Sequence, residues 1–141
     1  MGRPPSHLEG TEGAPWKRPP LTCVTEFTRE IQCLKALKGH NRLVELQGYV
    51  LRPFSIVLSL CDAGSLHTNL RSMPWQRRAG VLERLLLMQD VCDGLAFIHA
   101  NGFLHRDIKN HNILLERSDE YTETPRGRHR RAFTAKIADF G

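Results

Sequence analysis

Long apolar runs are missing from this sequence, and none approaches the about 20 residues that a bilayer-spanning helix needs. The opening stretch, MGRPPSHLEG, has no apolar core, which argues against a secretory signal. It does fit the loose myristoylation pattern Met1-Gly2-x-x-x-Ser6. Paired cysteines are missing too: Cys23, Cys33, Cys61 and Cys92 stand singly, with no C-x-x-C, so zinc is not expected. Without an export signal the simplest reading is reduced thiols in the cytoplasm or nucleus. Three of the four sit in apolar patterns, where cysteine serves as a small core residue.

What is present is an ordinary globular composition, 40% hydrophobic and 25% charged, over 141 residues, enough for one domain. The net charge of +5 is unevenly spread. Arg126-Gly127-Arg128-His129-Arg130-Arg131 packs four arginines into six residues. No aromatic residue interleaves with them, so the run reads as a solvated loop and not as a nucleic-acid platform.

Five of the eight prolines fall in residues 1–20, and residues 1–24 read as a flexible leader. Phe27, Ile31, Leu34 and Leu37 then recur at helical spacing, with Thr25 as the candidate cap and Gly39 and Asn41 as the stop. Leu43 to Val50 and Ser55 to Leu60 predict two strands around an Arg52-Pro53 turn. A short helix starts at Leu66. Val81 to His99 is the strongest helix, with Leu85, Met88, Val91, Leu95 and Ile98 as its apolar stripe, widened by Leu82, Leu86, Leu87 and Cys92, which predicts burial on more than one side. Asn101-Gly102 stops it. Ile113 to Leu115 and Lys136 to Ala138 are short apolar strands, and residues 116–131 between them predict a long charged loop. Helices and strands are segregated, which predicts an α+β fold.

Three polar features have useful spacing. His105-Arg106-Asp107-Ile108-Lys109-Asn110-His111-Asn112 sets an Asp, a Lys and an Asn in one loop between apolar segments. Asp139-Phe140-Gly141 follows a short strand, and Glu30 lies on the first helix. Phosphoryl transfer needs this combination. An acceptor orients the nucleophile's hydroxyl, hard oxygens hold Mg²⁺, and a cation offsets the charge of the transferring group.

These motifs resemble the eukaryotic protein-kinase family, whose catalytic loop reads H-R-D-L-x-x-x-N and whose metal-binding turn reads D-F-G. The helix ending Gly94-Leu95-Ala96-Phe97-Ile98-His99-Ala100-Asn101-Gly102 is similar as well. The resemblance covers residues 25–141, with 116–131 as an insertion, and implies part of a two-lobed kinase fold: an incomplete small lobe and the start of the helical large lobe. It implies Asp107 as catalytic base, Lys109 beside the transferring phosphoryl group, and Asn112 and Asp139 as Mg²⁺ ligands. Glu30 resembles the helix glutamate that pairs with a strand lysine. Leu58 takes the place of the residue guarding the adenine pocket, and Ser59, Leu60 and Cys61 that of the hinge. His105 is implied as a core histidine held by backbone bonds. ATP, Mg²⁺ and a protein substrate are the implied ligands, and Lys109 implies the serine/threonine type.

Two features of the family do not match. No G-x-G-x-x-G precedes Glu30, and the nearest lysine before it, Lys17, follows Pro15-Trp16. The expectation is a fragment of an ATP-dependent kinase. The alternative is a non-catalytic kinase-like binding module or an inactive truncated product.

Overall fold

A computed structural model describes residues 20–72 and 79–140. Gly2, Lys17 and Gly141, each singled out above, lie outside the described residues. Helix α1 spans Leu21–Ala36, so it begins inside the stretch expected to be leader. Pro20 stands at its N-cap, where a missing N–H is no loss. Thr25 is therefore not the cap. It sits in the second turn, and its hydroxyl donates to the Leu21 carbonyl at 2.9 Å.

Ile31, Leu34 and Leu37 are buried as the spacing predicts. Phe27, on the same face, stacks on Phe54 at 4.7 Å and meets Tyr49 edge-on at 6.4 Å. Those two rings belong to the antiparallel hairpin of β1 (Leu46–Leu51) and β2 (Phe54–Leu58). Leu43 does not join β1; it bridges Ile137 instead. Helix α2 (Leu66–Leu70) is capped by Ser65, whose Oγ accepts from the Thr68 N–H.

Helix α3 (Val81–Ala100) ends at Asn101 and Gly102, the latter at φ 79°. Its buried face keeps Leu86, Leu87 and Ile98 of the expected apolar set but not Leu85 and Met88. Leu85 and Met88 are 57% and 65% exposed. The inward positions are Glu83, Leu86, Leu87, Asp90, Gly94 and Ile98. Two carboxylates thus occupy the packed face, because they serve as acceptors for the strands beneath.

Those strands are β3 (Ile113–Arg117) and β6 (Phe133–Ile137), paired antiparallel with Ile113 opposite Ile137. Ile113, Leu115, Ala135 and Ile137 form the inward set of the period-2 pattern and are at most 3% exposed. Residues 116–131 are not a long loop. They contain the end of β3 and a hairpin of β4 (Tyr121–Thr124) and β5 (Gly127–Arg130). Gly94 lets α3 lie close on β6: a Cβ there would come within 2.9 Å of Ile137 Cδ1 and 3.1 Å of the Arg42 carbonyl.

The hairpin is tied down by charge. Asp90, 2% exposed, accepts from Arg131 Nη1 at 3.1 Å, from Arg131 Nη2, from Arg42 Nε at 3.0 Å and from the Ala135 N–H at 2.9 Å. Glu83 Oε1 accepts from the Ala132 and Phe133 N–H groups at 3.1 and 2.9 Å. Arg128 lies over the Tyr121 ring and Arg130 pairs with Asp119. Three of the four clustered arginines are therefore engaged within the fold, which is what a structural hairpin requires.

Cys61 is buried and Cys33 packs half-buried against the core, whereas Cys23 and Cys92 are exposed, so two of the four cysteines and not three are core residues. No described helix is long and apolar enough to cross a membrane.

Removing the Asp90 carboxylate leaves the buried Arg131 and the largely buried Arg42 guanidinium groups with only the half-exposed Glu120 as an anionic partner. Asp90→Ala is expected to lower unfolding free energy by about 3–5 kcal/mol in urea denaturation. Lys38→Ala, which breaks an exposed 3.9 Å pair with Glu45, is expected to change it by less than about 1 kcal/mol. Equal effects from the two substitutions would contradict this account of the hairpin.

Candidate active site

The antiparallel register of β3 and β6 builds the site. Asn112 immediately precedes β3, and Ala138 immediately follows β6, so the two lie side by side. The Ala138 N–H donates to the Asn112 carbonyl at 2.8 Å. Asp139 is the next residue along. The strand pair thus brings two polar residues, 27 positions apart by their numbers in the sequence, to one edge.

The loop from α3 is pinned to the same edge. His105 is 2% exposed, and its Nε2–H donates to the Ala138 carbonyl at 2.9 Å. Its Nδ1 accepts from the Asp107 N–H at 3.3 Å. The two bonds specify the Nε2–H tautomer, because Nδ1 must be an acceptor. The His105 ring also packs against Phe140 at 5.2 Å. So a buried histidine joins the two motifs and orients the backbone of Asp107.

Asp107 is half-exposed, and its Oδ2 takes Lys109 Nζ at 2.5 Å and Asn112 Nδ2 at 3.0 Å. Hydrogen bonding from Lys109 holds the Asp107 carboxyl below the usual aspartate range, against a smaller desolvation effect. The same bond pushes the Lys109 ammonium up, and Asp139 adds to that through its charge. Asn112 Nδ2 also donates to the Asp107 carbonyl at 3.0 Å. With both amide hydrogens committed there, the Asn112 side chain keeps its carbonyl oxygen for another partner.

Arg106 and Asp139 both stand at positive φ, 68° and 65°. Neither is glycine, so each stores backbone strain that the surrounding bonds must overcome. Glu30 reaches this group from α1. Burial pushes its carboxyl up, and the charge of Asp139 pushes it further. Among the described residues no cation pairs with Glu30.

The structure therefore gathers Glu30, Asp107, Lys109, Asn112 and Asp139. It sets Leu58, Ser59, Leu60 and Cys61 apart, on the chain between β2 and α2. Leu58 is half-buried, and Leu60 is 82% exposed. Ser59 is locked to Glu45 by two bonds: its N–H donates to the Glu45 carbonyl at 2.8 Å, and its Oγ accepts from the Glu45 N–H at 3.0 Å. Burial pushes the Cys61 thiol up, which suits a packing role and not a nucleophile. The chain just after this segment joins β3 through backbone. Ala63 donates to Leu115 at 3.0 Å, and Leu115 to Gly64 at 2.7 Å.

A contact absent from the sequence reading joins α2 to the loop. His67 and His111 stack at 3.8 Å, and the His67 N–H donates to the Asn110 carbonyl at 2.9 Å. Burial, then the neighbouring His111 and Arg71 charges, lower the His67 pKa. No short-range spacing could have signalled a pair 44 positions apart in the sequence numbering.

The site thus sets a carboxylate acceptor beside an ammonium, with an amide oxygen and a second carboxylate at the adjoining strand end. A family profile described as protein tyrosine and serine/threonine kinase matches residues 20–141. The probable serine/threonine-protein kinase roco6 of Dictyostelium discoideum is 36% identical over 83% of the chain. The insulin receptor-related protein of Homo sapiens is 30% identical over 86%, and the putative cyclin-dependent kinase F-2 of Oryza sativa subsp. japonica 33% identical over 82%. The chain spans 5%, 9% and 34% of these relatives, respectively. Since the family profile covers almost all of the described chain and its motif residues converge in space, the chain belongs to the protein tyrosine and serine/threonine kinase family.

Proposed function

We propose that the chain carries the phosphotransfer centre of a protein kinase acting on serine and threonine hydroxyls, with ATP as donor and Mg²⁺ as metal. The observation that supports it most is the Asp107–Lys109–Asn112 cluster beside Asp139. Asp107, kept ionised by Lys109, is placed to accept a hydrogen bond from a substrate hydroxyl and orient it. Lys109, half-exposed, has room to turn from Asp107 toward a transferring phosphoryl group. Its place two residues after the aspartate supports the serine/threonine type.

The residues fit the metal. Among the described residues no three His, Cys, Asp or Glu side chains converge as a self-sufficient metal cage. Mg²⁺ is characteristically held by one or two protein oxygens together with phosphate oxygens. Asp139 and the Asn112 carbonyl oxygen supply two such donors. When bound, the metal would neutralise charge on the phosphates. The chain's own part is to hold those two oxygens at one strand edge through the Ala138–Asn112 bond. Ser59, Leu60 and Cys61 would offer backbone to the adenine ring, with Leu58 behind it.

A second reading, a binding module without catalysis, draws support from Glu30. Its carboxyl is partly buried with no cation beside it among the described residues, and no glycine-rich phosphate loop precedes it in the sequence. Calorimetry separates the readings: Mg²⁺-dependent ATP binding that weakens on Asp139→Asn supports catalysis, and its absence supports the second reading.

Two activity measurements follow for the full-length protein. Asp107→Ala and Asp139→Ala are each expected to reduce phosphotransfer to a protein substrate by at least about a hundredfold. Retained activity in either variant would overturn the assignment. Lys109→Met removes the bond that lowers the Asp107 pKa. The Asp107 carboxyl then protonates at a higher pH, so the acid limb of the kcat/KM profile should move upward. An unmoved limb with lower kcat would mean that Asp107 does not act as the titrating acceptor.

A further inference from the structure

A cavity of about 440 Å³ lies at the end of the β3–β6 pair where β4 and β5 join it, walled by Arg117, Ser118, Asp119, Arg130, Arg131 and Phe133. Three guanidinium groups and one carboxylate line it. None of its residues belongs to the phosphotransfer cluster. It is formed by the turn from β3 to β4 and the return from β5 to β6, the segment that the sequence presented as a charged loop.

Arg131 is the informative residue. It is 5% exposed, and its two terminal nitrogens are engaged by Asp90. Its Nε–H has no hydrogen-bond partner, the one such buried side-chain atom among the described residues. A buried donor left unmade costs about 1–3 kcal/mol, so native proteins rarely keep one without a bound group to satisfy it. The Asp90 carboxylate cannot satisfy it, since both its oxygens already take two donors each.

The other walls are poised to take an anion. Arg117 is 77% exposed along its side chain and holds Asp62 only at 3.5 Å. Arg130 is 64% exposed and pairs with Asp119, itself 87% exposed. Surface pairs of this kind are worth little, so a stronger anion can displace Asp119. Ser118 Oγ accepts from the Glu120 N–H at 3.1 Å, which leaves its hydroxyl hydrogen free to donate. Donors thus converge from three chain positions. A planar carboxylate saturates one guanidinium fork, whereas a tetrahedral dianion can bridge several.

We propose that this cavity is a binding site for a phosphoryl dianion, held by Arg117, Arg130, Arg131 and Ser118, separate from the phosphotransfer centre. The dianion is either free phosphate or the phosphate of a phosphorylated side chain.

The test uses the full chain, labelled with ¹⁵N, and follows the arginine Nε–H signals in NMR spectra. Inorganic phosphate is titrated at about pH 8, where its dianion predominates, with ionic strength matched by chloride. A saturable shift of the Arg131 and Arg130 signals is expected, weakened at least about tenfold in Arg117→Gln/Arg130→Gln with an unchanged melting curve. Both side chains are exposed, and Arg117→Gln alone gives the same readout should the double variant not fold. A capped Gly-phosphoserine-Gly peptide distinguishes the sources: tighter binding than inorganic phosphate points to a phosphorylated polypeptide, equal binding to free phosphate. The proposal is overturned by no saturable shift, by acetate binding as tightly as phosphate, or by affinity that ignores the substitutions.

Discussion

The Asp90 carboxylate is the constraint on which the site depends. It lies inside the molecule, yet it takes four donors from three separate segments: Arg42, Arg131 and the backbone of Ala135. Glu83, one heptad earlier on the same helix, holds the backbone of Ala132 and Phe133. Together they fix β6 against α3 at two points. A one-residue slip of β6 would turn Ala135 and Ile137 outward and break both attachments. An ion pair of this kind adds little net stability relative to an apolar replacement, but removing one partner is severe. Its effect here is alignment. β6 ends at Ile137, and the next two residues carry the carbonyl that His105 holds and the Asp139 side chain.

From that alignment the rest follows by short steps. His105 ties the end of α3 to Ala138, and the Ala138–Asn112 bond ties β6 to β3. Asp107 then sits between a histidine that fixes its backbone and an asparagine that fixes its carboxylate. The positive φ angles of Arg106 and Asp139 fall on either side of this network. Strained residues persist where neighbouring bonds over-determine them, and these two are held in that way.

Much of this was legible in the sequence, because the motifs are local. The loop from His105 to Asn112 lies between a helix and a strand, and both elements have the expected period. Helix α1 and hairpin β1–β2 were legible for the same reason, with ends displaced by a few residues. The inner face of α3 was not. Reading apolar residues as inward selects Leu85 and Met88 and discards Glu83 and Asp90, whereas the structure does the reverse. The acids were the signal: they stand seven residues apart, in phase with Leu87, Gly94 and Ile98. An acid in phase with a core stripe asks for a buried cation, and Arg131 was hidden within a run that looked solvated. The like-charge effect of Asp139 on Glu30 was likewise out of reach, since it depends on how α1 lies relative to the strand ends.

The exposed face of α3 separates two properties that are often conflated. Val81, Leu82, Leu85 and Met88 stand 76%, 37%, 57% and 65% exposed. Covering four such side chains is worth about 6–12 kcal/mol at roughly 1.5–3 kcal/mol each. That is comparable to the about 5–15 kcal/mol by which a whole domain is stable. Yet none of these four residues touches the bonds that shape the site. Those run from the opposite face of the same helix, through Asp90, β6 and His105, to Asp107. The geometry of the proposed phosphotransfer cluster is therefore set by local register, on the face of the helix turned away from these exposed side chains.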